Sequence, residues 1–276
     1  MANKDVFLCL TLFISVFVSC RQSGQPEPVS TGDLYFSGYY WNFKNTNDIA
    51  VGPGPNRFTS KYNNIFLDAG SNLHLKIVKN NSQWYCSELV SVKTFGYGTY
   101  IFTTASDLTT MNERVVLGLF TWNNYSFQTQ ANSEIDIEFA RWNVASDTLL
   151  ASYSVQPVWG DNPIPYLERT RKPRMLASRL KSTCTHVFRW TPGMVSWVSY
   201  SGGSYPGTDT LAYWSFDSSN PSRSKMEGGK IANPIVIPTP EDSTNVRFNL
   251  WLMNGLPPSD NKEFEVVIKS FRFIPL

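Results

Sequence analysis

The stretch Ser133-Glu134-Ile135-Asp136-Ile137-Glu138-Phe139 alternates acidic and apolar side chains from Glu134 onward. Successive side chains of a strand point to opposite faces, so Glu134, Asp136 and Glu138 share one face and Ile135, Ile137 and Phe139 the other. A helix would put Asp136 opposite the two glutamates and scatter the apolar residues. The β-branched Ile135 and Ile137 favour the strand as well. The apolar face belongs in a core. The acidic face must line a solvent-accessible cleft, because burying three adjacent carboxylates away from water would be prohibitive.

Such a row repels itself. Two carboxylates about 6 Å apart at an effective dielectric near 20 repel by roughly 3 kcal/mol, about two pK units. At least one of the three should then keep its proton near neutrality. A protonated acid beside an ionised carboxylate is what glycosidic cleavage requires. The Cα atoms of Glu134 and Glu138 should lie about 13 Å apart, so their carboxyls approach only if the side chains lean together over a concave strand. An exposed acidic strand face, or a calcium site built from oxygens, fits the same pattern.

Working outward, apolar runs of strand length recur between turn residues: 34–41, 73–78, 84–92, 98–104, 115–122, 148–156, 186–190, 194–200, 210–216, 245–253 and 263–273. Val, Ile, Tyr, Phe, Trp and Thr dominate them. The sole helix candidate is 171–182, and Pro173 holds it to two or three turns. About a dozen strands in one uninterrupted block, residues 33–276, mean a single all-β domain, a sandwich or a large barrel. Composition agrees. Charged residues are 17% and aromatics 14% of the 276, with 17 Gly and 17 Pro, which excludes a coiled coil, a helical bundle and a disordered chain. A net charge of +2 offers no basic surface for nucleic acid, and two histidines do not make a His-rich metal site. No organic cofactor is implied, and no dense Asp/Asn loop marks a structural calcium.

Residues 1–19 read as an export signal: Lys4, then an apolar run from Val6 to Val18, too short for a bilayer that needs roughly 20 residues. The ending Phe17-Val18-Ser19-Cys20 resembles a bacterial lipobox, with Cys20 as the lipidated residue and 20–32 as a polar tether to the membrane. The expected location is the bacterial envelope, periplasmic or at the cell surface, and the expected state is a monomer. Cys86 and Cys184 then remain, as a disulfide or as two buried thiols.

Glu134-Ile135-Asp136-Ile137-Glu138 also resembles the E-I-D-I-E signature of the family-16 glycoside hydrolases, the group of lichenases, laminarinases, agarases and xyloglucan-modifying enzymes. Phe95-Gly96-Tyr97-Gly98 is similar to a glycine-tyrosine turn before an early cleft strand, and Val116–Trp122 to the strand before the catalytic one. His186–Trp197 is similar to H-x-F-x-W-x-P, and Asn249-Leu250-Trp251 to an N-L-W that lines the cleft. The resemblance implies a concanavalin-like jelly roll, a two-sheet antiparallel β-sandwich with a concave substrate cleft. It further implies endo-acting, retaining cleavage of a β-linked polysaccharide, with Glu134 as nucleophile, Glu138 as general acid/base and Asp136 tuning Glu134. The chain departs from the pattern at Asn132, where lichenases carry Trp, and at Thr99–Phe102, where a Glu is usual. A Ser201-Gly202 turn stands where D-G is usual, and the segments Gly52–Asn56 and Trp251–Asp260 mark a less-characterised branch.

Aromatic rings make platforms for the flat faces of sugars. Trp122, Trp142, Trp159 and Trp251 flank the cleft segments, and Asn249 shares strand parity with Trp251. Tyr153, Gln156 and Asn254 are placed to donate to ring hydroxyls. His186 reads as a structural hydrogen-bonder and His74, alternating with Leu73 and Leu75, as a solvent-facing residue. Two alternatives stay open: a surface glycan-binding lipoprotein without turnover, and a structural envelope lipoprotein with a cation-binding strand.

Overall fold

The computed structural model describes residues 32–158, 169–173, 175, 179–217 and 237–276. The export signal, Cys20 and most of the tether lie outside these residues, as does Trp159. Two antiparallel sheets stack face to face. The first, the cleft sheet, runs β1 (Leu34–Phe36), β2 (Tyr39–Phe43), β6 (Ser87–Thr94), β15 (Asn245–Leu252), β8 (Val115–Trp122), β9 (Ile135–Ala140), β10 (Ala151–Val155) and β11 (Thr170–Arg171). The second runs β14 (Thr210–Asp217), β13 (Met194–Ser201), β12 (Cys184–Thr191), β7 (Gly98–Thr104), β16 (Phe264–Pro275), β4 (Leu73–Asn80) and β3 (Ile65–Leu67), with β5 (Gln83–Tyr85) paired to β4. Sandwich, not barrel, is the outcome.

Alternation decides what faces inward. Ile135, Ile137 and Phe139 of β9 are fully buried beside Leu117, Leu119, Phe248 and Leu250 of neighbouring strands. Rings join the two layers: Phe248 meets Phe102 of β7 at 5.6 Å, Phe139 meets His186 of β12 at 4.7 Å, and Tyr153 stacks on Trp197 of β13 at 6.0 Å. The Trp197 indole also donates to the Asp136 carbonyl at 3.1 Å, pinning the acidic strand from beneath.

Several expectations are corrected. Tyr153 is a core residue: its ring is fully buried and its hydroxyl bonds Ser199 Oγ at 2.7 Å, because β10 turns Ser152 and Ser154 to the cleft instead. Gly98–Thr104 is no cleft strand but the middle of the second sheet, with every residue buried, so a glutamate there would have no outlet. The helix expected from Arg171 does not begin there, since Thr170–Arg171 pair with β10. Residues 174 and 176–178 of that stretch lie outside the described residues. Cys86 and Cys184 are both buried and free, and burial pushes the Cys86 thiol up to about 12. His74 is not fully solvated: its ring stacks on Phe66 at 4.5 Å. His186 is a buried hydrogen-bonder, with Nδ1 2.8 Å from Ser199 Oγ and Nε2 3.3 Å from Thr104 Oγ1, and burial drops its pKa to about 3.

Candidate active site

The outer face of the cleft sheet is laid out in rows by strand register. Glu88, Asn249, Gly118, Glu138 and Ser152 form one row across β6, β15, β8, β9 and β10. Arg247, Phe120, Asp136 and Ser154 form the next. Glu134 stands one step further on, where the strand begins. Apart from Ser152 and Ser154, these residues line a cavity of about 260 Å³ together with Lys44, Gly52, Pro53, Trp122 and Trp251. Glu134, Asp136 and Glu138 all line it, as do Trp122, Asn249 and Trp251.

The remaining expected sugar contacts stand differently. Trp142, half-buried, packs edge-on against Trp251 at 6.4 Å and supports that ring from outside the cavity lining. Asn254 is exposed on a turn with φ 55°, again outside the lining. Gln156 donates from Nε2 to Asp136 Oδ2 at 3.0 Å, so its amide is committed to a carboxylate rather than offered to a sugar.

The approach to Glu134 is unusual backbone. Ala131, Asn132 and Ser133 all have positive φ, 46°, 62° and 51°. Each such non-glycine residue costs roughly 1–2 kcal/mol, and hydrogen bonds hold them there. Asn132 Nδ2 donates to Asn123 O at 2.7 Å, Thr121 Oγ1 donates to Ser133 O at 2.9 Å, and Ile135 N donates to Thr121 Oγ1 at 3.2 Å. Asn tolerates the left-handed region better than most residues do, and Asn132 occupies it here. Asn132 is buried and no sugar platform.

Sequence parity missed Glu88, Arg247 and Lys44. Glu88 is 1% exposed, bracketed by Lys44 Nζ at 2.8 Å and Arg247 Nη1 at 3.0 Å. Arg247 also donates to Asn245 Oδ1 at 2.9 Å and Asn124 Oδ1 at 3.0 Å, and its guanidinium lies 5.3 Å from the Trp122 ring centroid. The available signal was a lone charge inside an apolar strand run, at Glu88 in 84–92 and Arg247 in 245–253. The Gly52–Asn56 segment acquires a role too. Asn56 Nδ2 donates to Pro53 O and to Leu252 O, both at 2.7 Å, which clamps this loop against the end of β15 as a cleft wall.

All three carboxyls of β9 are held above the ordinary carboxylate range. Burial is the main cause for each. Asp136 and Glu138 raise Glu134 further, while Arg247 opposes them. Asp136 rises to about 7 despite hydrogen bonds from Gln156 and Glu134 that favour its ionised form. Glu138 is raised by burial and then by Asp136. The face can therefore hold protonated and ionised carboxyls side by side near neutrality, the pairing that acid-assisted displacement needs.

Solved structures with this architecture make the fold's relationship plain. A β-glucanase of Bacillus licheniformis matches with TM-score 0.54 and 18% identity, over 88% of this chain and 95% of the other. A family-16 endo-glucanase of Bacteroides ovatus, solved in complex with G4G3G-2F-DNP, matches with TM-score 0.57 and 12% identity, over 88% and 97%. This is the glycoside hydrolase family-16 fold. A laminarinase of Flavobacterium sp. UMI-01 shares it with TM-score 0.56 and 14% identity, over 84% and 92%. No family model matches the sequence, and no curated protein matches it either. Backbone architecture thus carries the family-16 likeness, at 12–18% sequence identity to these structures.

Proposed function

We propose that this protein is an endo-acting, retaining glycoside hydrolase that cleaves a β-linked polysaccharide outside the cytoplasm, anchored to the envelope by lipid on Cys20. The observation that carries the proposal is the row Glu134, Asp136 and Glu138 on the cavity-lining face of one strand, with every carboxyl biased toward its protonated form. Glu138 gives its proton to the glycosidic oxygen as the C–O bond breaks, and the ionised Glu134 takes the anomeric carbon. Water, deprotonated by Glu138, then releases the sugar from Glu134. Asp136, held by Gln156 at 3.0 Å, accepts a hydrogen bond from Glu134 and tunes its charge. Trp122 and Trp251 supply the aromatic platforms and Asn249 a polar contact. The chain's low charge suits a neutral glycan.

The test is a polysaccharide screen with product analysis, run beside Glu134→Gln. New reducing ends from the wild type and none from the variant support the reading. Equal activity in both sinks it. Glycan binding without turnover in the wild type points instead to the capture lipoprotein, a reading that the buried Asn132 favours because it removes one platform.

A further inference from the structure

The row through Glu138 contains two polar atoms with nothing to bond. Asn249 Oδ1 and Ser152 Oγ are both buried, in residues 3% and 4% exposed, and neither has a hydrogen-bond partner. They stand on opposite sides of the same side chain. Ser152 on β10 pairs directly with Glu138, and Gly118 on β8 pairs with it from the other side. Directly opposed residues hold their Cβ atoms about 4.5–5.5 Å apart. Gly118 has no Cβ, and Asn249 leans into that gap from β15: its Oδ1 lies 2.3 Å from where a Gly118 Cβ would stand. In register, Glu138 therefore has Asn249, reaching over Gly118, on one side and Ser152 on the other. The next serine along β10 differs, because Ser154 Oγ already bonds Thr170 Oγ1 at 2.9 Å.

The two orphans have complementary chemistry. An amide oxygen only accepts, whereas a hydroxyl can donate. We infer that Asn249 and Ser152 are positioning residues that form a two-sided cradle for the Glu138 carboxyl, Asn249 accepting from its protonated form and Ser152 donating to its ionised form. The inference rests on the assignment of Glu138 as acid/base. When the Glu138 proton moves to the glycosidic oxygen, the new carboxylate turns to the Ser152 O–H. When water later attacks the glycosyl–Glu134 bond, its proton returns to Glu138, which again donates to Asn249 Oδ1. One proton leaves and one returns. The charged groups around Glu138 do not duplicate this arrangement: Asp136 and Glu134 lie along its own strand, and Glu88, Arg247 and Lys44 come from β6, β15 and the segment after β2. Among the described residues, β8 and β10 contribute no charge to this face.

The two flanks predict shifts of opposite sign. Ser152→Ala removes the donor to the ionised form, so Glu138 should hold its proton to higher pH, by about one unit. Asn249→Leu removes the acceptor for the protonated form and should move Glu138 down by a similar amount. Two readouts on the full-length protein test this. The first is the basic limb of the kcat/KM pH profile on whichever glycan is cleaved, with kcat expected to fall about tenfold in Ser152→Ala at nearly constant KM. The second is the 13C carboxyl titration of Glu138, assigned with Glu138→Gln, which needs no turnover. Ser152→Thr keeps the hydroxyl and should restore the wild-type midpoint. Opposite shifts with rescue by Thr support the cradle. Shifts of the same sign, unmoved midpoints, or a Thr variant that behaves like Ala overturn it. If no glycan is cleaved but the carboxyl midpoints move in opposite directions, the hydrolase assignment fails and the cradle stands.

Discussion

Two clusters of titratable side chains, one in the cleft and one at the second sheet, are built on opposite principles. In the cleft, Glu134, Asp136 and Glu138 have one sign and little water, so burial drives every carboxyl toward its proton. On the outer side of the second sheet, His74 sits between Asp68 and Glu265, with Nε2 3.2 Å from Asp68 Oδ2 and Nδ1 in a short bond to Glu265. There burial lowers His74 but its bonds to the two carboxylates outweigh it and raise it overall, while hydrogen bonds from the Asn72 side chain and backbone take Asp68 down to about 2. The first cluster costs stability and is the one to which we assign the proposed reaction. The second stabilises a loop. A site can be recognised by charges that would rather not be together.

Four variants break or sharpen that contrast. Glu134→Gln should reduce release of reducing ends by at least about 10⁴-fold, with no loss in melting temperature, since it removes a repelled charge. Arg247→Met should have the largest effect on stability, about 3 kcal/mol in a urea melt, because Glu88 is left buried with Lys44 alone. Asp136→Asn should do the reverse. Its carboxyl titrates near 4 unfolded and about 7 folded, so the native state binds the extra proton and loses relative stability as pH rises from 4 to 7. The variant should therefore gain about 1–2 kcal/mol at pH 7.5 and nothing at pH 4, while turnover falls. The smallest effect belongs to His74→Gln. A raised histidine stabilises fully below about pH 6.5 and the benefit is lost as pH climbs through its folded value. This variant should lose no more than about 1 kcal/mol at pH 5.5 and nothing at pH 9. If Asp136→Asn destabilises and His74→Gln stabilises, the contrast is wrong.

Much of the site was legible because strand parity is local. Alternation at 133–139 placed three carboxylates on one face, and the parity of Asn249 with Trp251 put both in the cavity. Parity also misled at 148–156, where Ser152, Tyr153 and Ser154 mix small polar and aromatic residues, and only the pairing with β9 shows that the serines face the cleft. Glu88 could not be joined to Arg247, 159 residues later, without knowing that β15 inserts between β6 and β8. The same insertion brings Asn249 over Gly118 and so beside Glu138.

By itself the sequence determined the all-β class, the inward and outward faces of the acidic strand and the electrostatic tension among its carboxylates, since each follows from backbone period and charge spacing within a few residues. Tertiary structure alone decided which groups relieve that tension: Gln156 at Asp136 and Arg247 opposing the repulsion at Glu134. The physical reason is that hydrogen bonds and ion pairs act over a few ångströms, and in an antiparallel sandwich those few ångströms join residues far apart along the chain.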